Sequence, residues 1–231
     1  MSDIVTIFGP PGTGKTTELA KLIDGAVKRF GANRVVVASL TKTAASEIIG
    51  RGIQVNREHV GTLHAICHRM LGKPELVYKT IGEFNEHYHR NVTASNPDVD
   101  DLATDAPAEK TGSDKLREEM DVLRARMVPR ELWNASVRRF ADEWDAWKAY
   151  TGTIDFTDMI ERTLAQYERA IGDPAAIYYD EAQDGSALEL ALIRQWAAHT
   201  DHTRIAGDDD QALYRWRGAS IEDFLAFSDD E

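Results

Sequence analysis

Eight residues near the start of the chain, Gly9-Pro10-Pro11-Gly12-Thr13-Gly14-Lys15-Thr16, restrict its fold more than any other feature. They fit the pattern G-x-x-x-x-G-K-[ST], with a short apolar, β-branched run from Ile4 to Phe8 before them. After them comes a helical stripe of Leu19, Ile23, Ala26 and Phe30, which Gly31 closes. A glycine-rich turn between a strand and a helix aims backbone N–H groups inward at a helix N-terminus, and phosphate binds there. Lys15 is placed to reach the β and γ phosphates and the Thr16 hydroxyl to ligate Mg²⁺, with Thr17 next on the same turn. The loop predicts an NTPase using Mg²⁺, and says nothing of the work done.

Arg34 to Ser39, centred on Val35-Val36-Val37, reads as a strand buried on both faces, and the Ala-rich stretch Thr43 to Ile49 as the helix after it. Strands alternating with helices imply an α/β fold with a parallel sheet. The alternation stops between about Gly72 and Tyr150. Residues 93–113, rich in Asp, Ala, Pro and Thr, read as a mobile acidic loop. Two amphipathic helices follow, one striped by Leu116, Met120, Leu123 and Met127, the other by Val137, Phe140, Trp144 and Trp147. Alternation resumes with a helix striped by Phe156, Ile160, Leu164, Tyr167 and Ile171, then a strand from Ala175 to Tyr179. Ser186 and Glu189 have the spacing of a capping box opening the next helix. The expected organisation is a sheet domain in two parts, 1–71 and 151–231, interrupted by a helical insertion over 72–150.

Apolar residues make up 42% of the 231, but no stretch of eighteen is apolar and no basic-then-apolar leader opens the chain. A soluble, cytoplasmic protein without membrane contact is expected. Cys67 is the single cysteine, which excludes an internal disulfide and any zinc site built on several thiolates. The net charge of −12 disfavours a polyanionic partner until it is divided along the chain. Residues 1–92 carry 12 Lys and Arg against 8 Asp and Glu, whereas 93–231 carry 15 against 31. A polyanion is therefore expected on the N-terminal part.

In Ala176-Ile177-Tyr178-Tyr179-Asp180-Glu181-Ala182-Gln183-Asp184 an apolar strand delivers two adjacent acids to the carboxyl edge of the sheet. Asp180 is expected to hold Mg²⁺, directly or through water, and Glu181 to polarise the attacking water.

These residues resemble a known family. Asp180-Glu181-Ala182-Gln183-Asp184 is similar to motif II of UvrD/Rep-type superfamily 1 DNA helicases, and Ile205 to Ala219, containing Gly207-Asp208-Asp209-Asp210-Gln211, is similar to their motif III. The resemblance implies a RecA-like motor domain. It also implies that Gln211 senses the γ phosphate while Tyr214 and Trp216, with Arg217, lie along single-stranded DNA. Trp216 would stack on a base, a contact worth about 1–3 kcal/mol for any sequence. Ala38 to Ala45, with Leu40, Thr41 and Lys42, resembles motif Ia, and Gly61 to Leu71, with Thr62 and His64, the Thr-Phe-His segment; both contact DNA in the family. Asp155-Phe156-Thr157-Asp158 is like the element that precedes motif II. His64, Cys67 and His68 also have helical spacing for metal, but lack a fourth ligand in sequence.

The chain departs from the family pattern in three places. Gly9 follows Met1 by only eight residues, whereas the family's adenine-reading glutamine lies upstream of the loop. Leu40 stands where an aromatic is common. Glu231 ends the sequence where the arginine-bearing motif IV and the second RecA-like domain would begin. Such arginines are worth about 10³–10⁵ in rate in related chemistry. The resemblance thus implies the ATP-binding half of a single-strand DNA translocase or helicase, acting on single strands or DNA junctions. Alone it would be weakly active, and a second RecA-like domain would complete it in cis or in trans. Two alternatives stay open on residues alone: a nucleotide-dependent binding module, and a small-molecule kinase, which leaves motif III unexplained.

Overall fold

The computed structural model describes residues 3–9, 14–39, 50, 52–93, 110–208, 219 and 221–227. Among them five strands form one sheet: β1 (Asp3–Phe8), β2 (Val35–Ser39), β3 (Val60–Thr62), β4 (Ala176–Asp180) and β5 (His202–Gly207). The order is β1-β5-β4-β2-β3, and every pairing is parallel. This is the α/β parallel sheet that the alternation predicts, in a RecA-like arrangement.

Strand periodicity splits the core into two layers. Val36 and Ala38 of β2, with Ile177 and Tyr179 of β4, face a layer closed by α2 (Leu63–Met70), α6 (Phe156–Gln166) and α7 (Ala187–Ala197). Val35, Val37, Ala176 and Tyr178 face the opposite layer, where α1 (Lys15–Phe30) contributes Leu19, Ile23 and Ala26. Both central strands are buried along their whole length, which explains why they are apolar without alternation.

A third core lies outside the sheet. Val77, Ile81 and Phe84, the latter two on α3 (Ile81–Tyr88), pack with Met120 of α4 (Gly112–Ala125) and with Val137, Phe140, Trp144 and Trp147 of α5 (Ala135–Thr151). Phe84 meets Trp144 edge to face at 4.9 Å. The chain enters and leaves this body side by side: Val77 N–H donates to the Ile154 carbonyl and Ile154 N–H to that of Glu75, both at 2.9 Å.

Several expected boundaries move. Gly112 and Ser113 belong to the first turn of α4 rather than to a loop, because Thr111 and Asp114 form a capping box. Asp114 also accepts from Thr93, so both flanks of residues 94–109 are fixed. Met127 does not extend the α4 stripe: it lies beyond the helix at φ 54° and is 51% exposed. Helix α6 stops at Gln166, short of Tyr167 and Ile171, because Gln195 of α7 donates to the carbonyls of Leu164 and Tyr167. Strand β4 begins and ends one residue later than expected, making Asp180 its last residue. The helix expected over 43–49 lies outside the described residues, as do residues 94–109 of the acidic loop.

Candidate nucleotide and nucleic-acid site

The glycine loop begins on the sheet. Gly9 N–H donates to the Gly207 carbonyl at 3.3 Å, which ties the end of β1 to the end of β5. At the loop's other end Gly14 caps α1 in the left-handed region, φ 89° and ψ 14°, and its carbonyl accepts from Glu18 N–H at 2.9 Å. Glycine adopts that conformation without a Cβ penalty. The Lys15 ammonium donates to the Gly9 carbonyl, spanning the turn from last residue to first. Thr17 occupies the first turn of α1. Pro10, Pro11, Gly12, Thr13 and the Thr16 side chain lie outside the described residues.

The acid pair stands at the carboxyl edge between β2 and β5. Asp180 is 1% exposed and lies in register with Ser39 of β2. Its Oδ1 accepts from Glu181 N–H at 3.0 Å. Glu181 leaves the strand at φ 57° and ψ 37°, a conformation costing a non-glycine residue about 1–3 kcal/mol. Gln183, 4% exposed, holds the turn together. Its Nε2 donates to Glu181 Oε2 at 2.9 Å and to Asp184 Oδ2 at 3.1 Å, and its Oε1 accepts from Asp208 N–H at 3.0 Å. Gly207 allows that approach, since a Cβ there would lie 2.5 Å from Phe224 Cζ and 2.9 Å from Gln183 Oε1. Sequence reasoning gave Gln183 no role. The available signal was an amide between two acids, the one side chain from Asp180 to Asp184 that can donate and accept while both acids are ionised.

Ser186 caps α7, and the capping box with Glu189 is present as expected. Ser186 also forms an antiparallel bridge with Ala219. The residues flanking 209–218 are thus both tied to the β4–α7 turn, Asp208 by Gln183 and Ala219 by Ser186. Gln211, Tyr214, Trp216 and Arg217 lie within that span, outside the described residues, and so do Leu40, Thr41 and Lys42.

On the neighbouring edge, Thr62 Oγ1 caps α2 by accepting from Ala65 N–H at 3.2 Å. The His64 ring packs edge-on against Phe156 at 5.6 Å, with Nδ1 3.6 Å from Glu189 Oε1. His68 Nε2 is engaged with the Pro74 carbonyl at 2.9 Å. Burial pushes the Cys67 thiol up to about 12, which keeps its proton on at neutral pH. Among the described residues no group of three His, Cys, Asp or Glu could hold a metal ion.

Asp155 and Asp158 have another part. They cap α6 as a box and are met by cations from the helical body: Lys148 Nζ donates to both at 2.8 and 2.7 Å, and Arg124 reaches both at 2.8 and 2.6 Å. Burial alone would raise the Asp155 carboxyl, but Arg124 and Lys148 outweigh it and hold the group well below the usual carboxylate range.

A parallel sheet with a glycine turn after β1 and an acid pair after β4 defines an α/β domain of the P-loop NTPase class. The profile of the UvrD/REP helicase N-terminal domain matches residues 1–231, and the chain belongs to that family. It is 24% identical over 251 residues to a probable DNA helicase II homolog of Mycoplasma capricolum, covering 97% of this chain and 34% of that protein. It is 27% identical over 258 residues to the ATP-dependent DNA helicase PcrA of Staphylococcus aureus, with the same coverages. Over 78 residues it is 36% identical to PcrA of Bacillus subtilis, covering 34% of this chain and 10% of that protein. The chain spans about a third of the length of the first two relatives. Among the described residues no helix is long and apolar enough to cross a membrane.

Proposed function

We propose that the chain is the ATP-binding half of an ATP-dependent single-strand DNA translocase or helicase, coupling hydrolysis to movement once a second RecA-like domain completes it. One observation carries this: Gln183 joins Glu181 to Asp208, the residue that leads into 209–218, the part of the sequence that holds Gln211 and Trp216. Asp208, from which the segment expected to carry both functions departs, thus shares one support with Glu181.

In this mechanism the Gly9–Thr17 turn cradles the phosphates with backbone N–H groups, and Lys15 exchanges its bond to the Gly9 carbonyl for the β and γ phosphates. The buried Asp180 carboxylate at a strand end and the Thr16 hydroxyl are hard oxygen donors that suit Mg²⁺, which when bound neutralises charge on the phosphates. Glu181 orients the attacking water and takes its proton on a carboxylate oxygen, with Gln183 fixing that carboxylate. Gln211 would sense the γ phosphate. Leu40, Thr41, Lys42, Thr62, His64, Tyr214, Trp216 and Arg217 line the nucleic-acid side. Residues 1–71 and 151–231 form the motor domain and 72–150 its helical insertion. In support, Val77 and Ile154 pair where the chain enters and leaves that body.

DNA-stimulated phosphate release, measured with and without the second motor domain, tests this. Release is expected to be slow alone and to rise on completion. Silence of the completed complex with oligonucleotide present would rule the proposal out.

A further inference from the structure

Glu189 does two things with its two oxygens. Oε2 accepts from the Ser186 N–H and from its hydroxyl, each at 2.8 Å, and closes the capping box of α7. Oε1 faces His64 Nδ1 at 3.6 Å. A capping box needs one oxygen at this position, and Gln supplies it as well as Glu. Capping therefore does not account for a charge on a side chain only 9% exposed, where burying it is costly. Burial chiefly, with the Glu189 charge in addition, keeps Tyr179 and Cys67 protonated and neutral, so neither places a second anion beside it, and neither can supply a cation. His64 does face it.

At 3.6 Å the His64 contact is longer than a hydrogen bond, and a small swing of the ring would bring it to hydrogen-bonding distance. Phe156 holds the ring from another side, while the side chain keeps 32% of its exposure beside Thr62. Beyond Glu189 the path continues through Ser186 to Ala219, the residue after 209–218. A part-exposed imidazole on the basic N-terminal part is thereby connected to Ala219, at the exit of that segment.

We propose that Glu189 is a positioning residue. When a single-stranded nucleic-acid backbone occupies the Thr62–His64 face, Glu189 resets the Ser186–Ala219 pairing and so changes nucleotide affinity. This rests on Thr62 and His64 being nucleic-acid contacts, as in the function proposed above. Glu189 touches neither ligand.

The test is the dissociation constant of MgATPγS, measured on the chain with and without saturating oligo-dT, in the wild type, Glu189→Gln and Glu189→Ala. In the wild type oligo-dT is expected to tighten nucleotide by about 5- to 150-fold, and nucleotide to tighten oligo-dT equally, since linkage is reciprocal. Glu189→Gln keeps the capping oxygen, so its Tm should hold and each ligand alone should bind as before, while the linkage collapses toward unity. Glu189→Ala should lose linkage and Tm together. Linkage surviving in Glu189→Gln overturns the proposal, as does a wild type that binds both ligands independently; either result leaves the proposed function standing. A wild type that binds neither ligand removes the proposed function and this inference with it.

Discussion

Two pairs of acids, the buried pair in the helical body's seam and the pair at the sheet edge, differ in the donors that reach them. Asp155 and Asp158 are met by cations, Lys148 and Arg124, at 2.6–2.8 Å. Asp180 accepts from a backbone N–H and Glu181 from the Gln183 amide, both neutral donors. A neutral donor fixes a carboxylate without cancelling its charge, whereas a guanidinium and an ammonium cancel it. The first pair is therefore a fastening between α4, α5 and α6, and at the sheet edge the amide and backbone donors orient the carboxylates.

The seam should show the larger effect on stability. Lys148→Met keeps the aliphatic stem but removes the ammonium from two buried carboxylates, and should cost about 3–5 kcal/mol in urea unfolding while leaving MgATP affinity unchanged. At the sheet edge the pattern reverses. Glu181→Gln should lower DNA-stimulated hydrolysis in the completed motor by about 10²–10⁴-fold, with little change in the unfolding midpoint. If both variants moved the same observable, the contrast between the pairs would fail.

Proton linkage sharpens the comparison. The folded Asp155 carboxyl lies below its unfolded value of about 3.9, so its contribution is complete above that pH and is lost as pH falls through the folded value. Acid unfolding should therefore steepen below about pH 4, and Asp155→Asn should flatten that limb. Asp121 behaves oppositely. Burial chiefly, with the Asp155 charge adding, pushes its carboxyl up to about 7. The folded state then holds a proton that the unfolded chain releases, so stability falls as pH rises from about 4 through 7. Asp121→Asn should match the wild type near pH 4 and exceed it at pH 8. The gain should be smaller than the usual 1.4 kcal/mol per unit, since the side chain keeps contact with solvent.

What the sequence made legible follows from the range of the interactions involved. The glycine turn, β2, the Trp144 stripe of α5 and the Ser186–Glu189 box are set by neighbours a few residues apart, and period and spacing encode them. The seam is not local: Arg124 meets Asp155 from 31 residues away, and Asp155-Phe156-Thr157-Asp158 alone looks only like a helix start. Helix ends failed for the same reason. Tyr167 and Ile171 continue the apolar period of α6, yet Gln195 takes the last carbonyls from 28 and 31 residues downstream. Gln183 hid in plain composition, because its partner Asp208 is 25 positions on and the link exists only once β4 and β5 lie side by side.

The central claim is that the Gly9–Thr17 turn and Asp180 form one site for a magnesium nucleotide. Calorimetric titration of MgATPγS into the wild type, Lys15→Ala and Asp180→Asn tests it most directly. One binding site, lost in Lys15→Ala and deprived of its Mg²⁺ dependence in Asp180→Asn, is the expected result. Equal affinity and equal Mg²⁺ dependence in all three would contradict it.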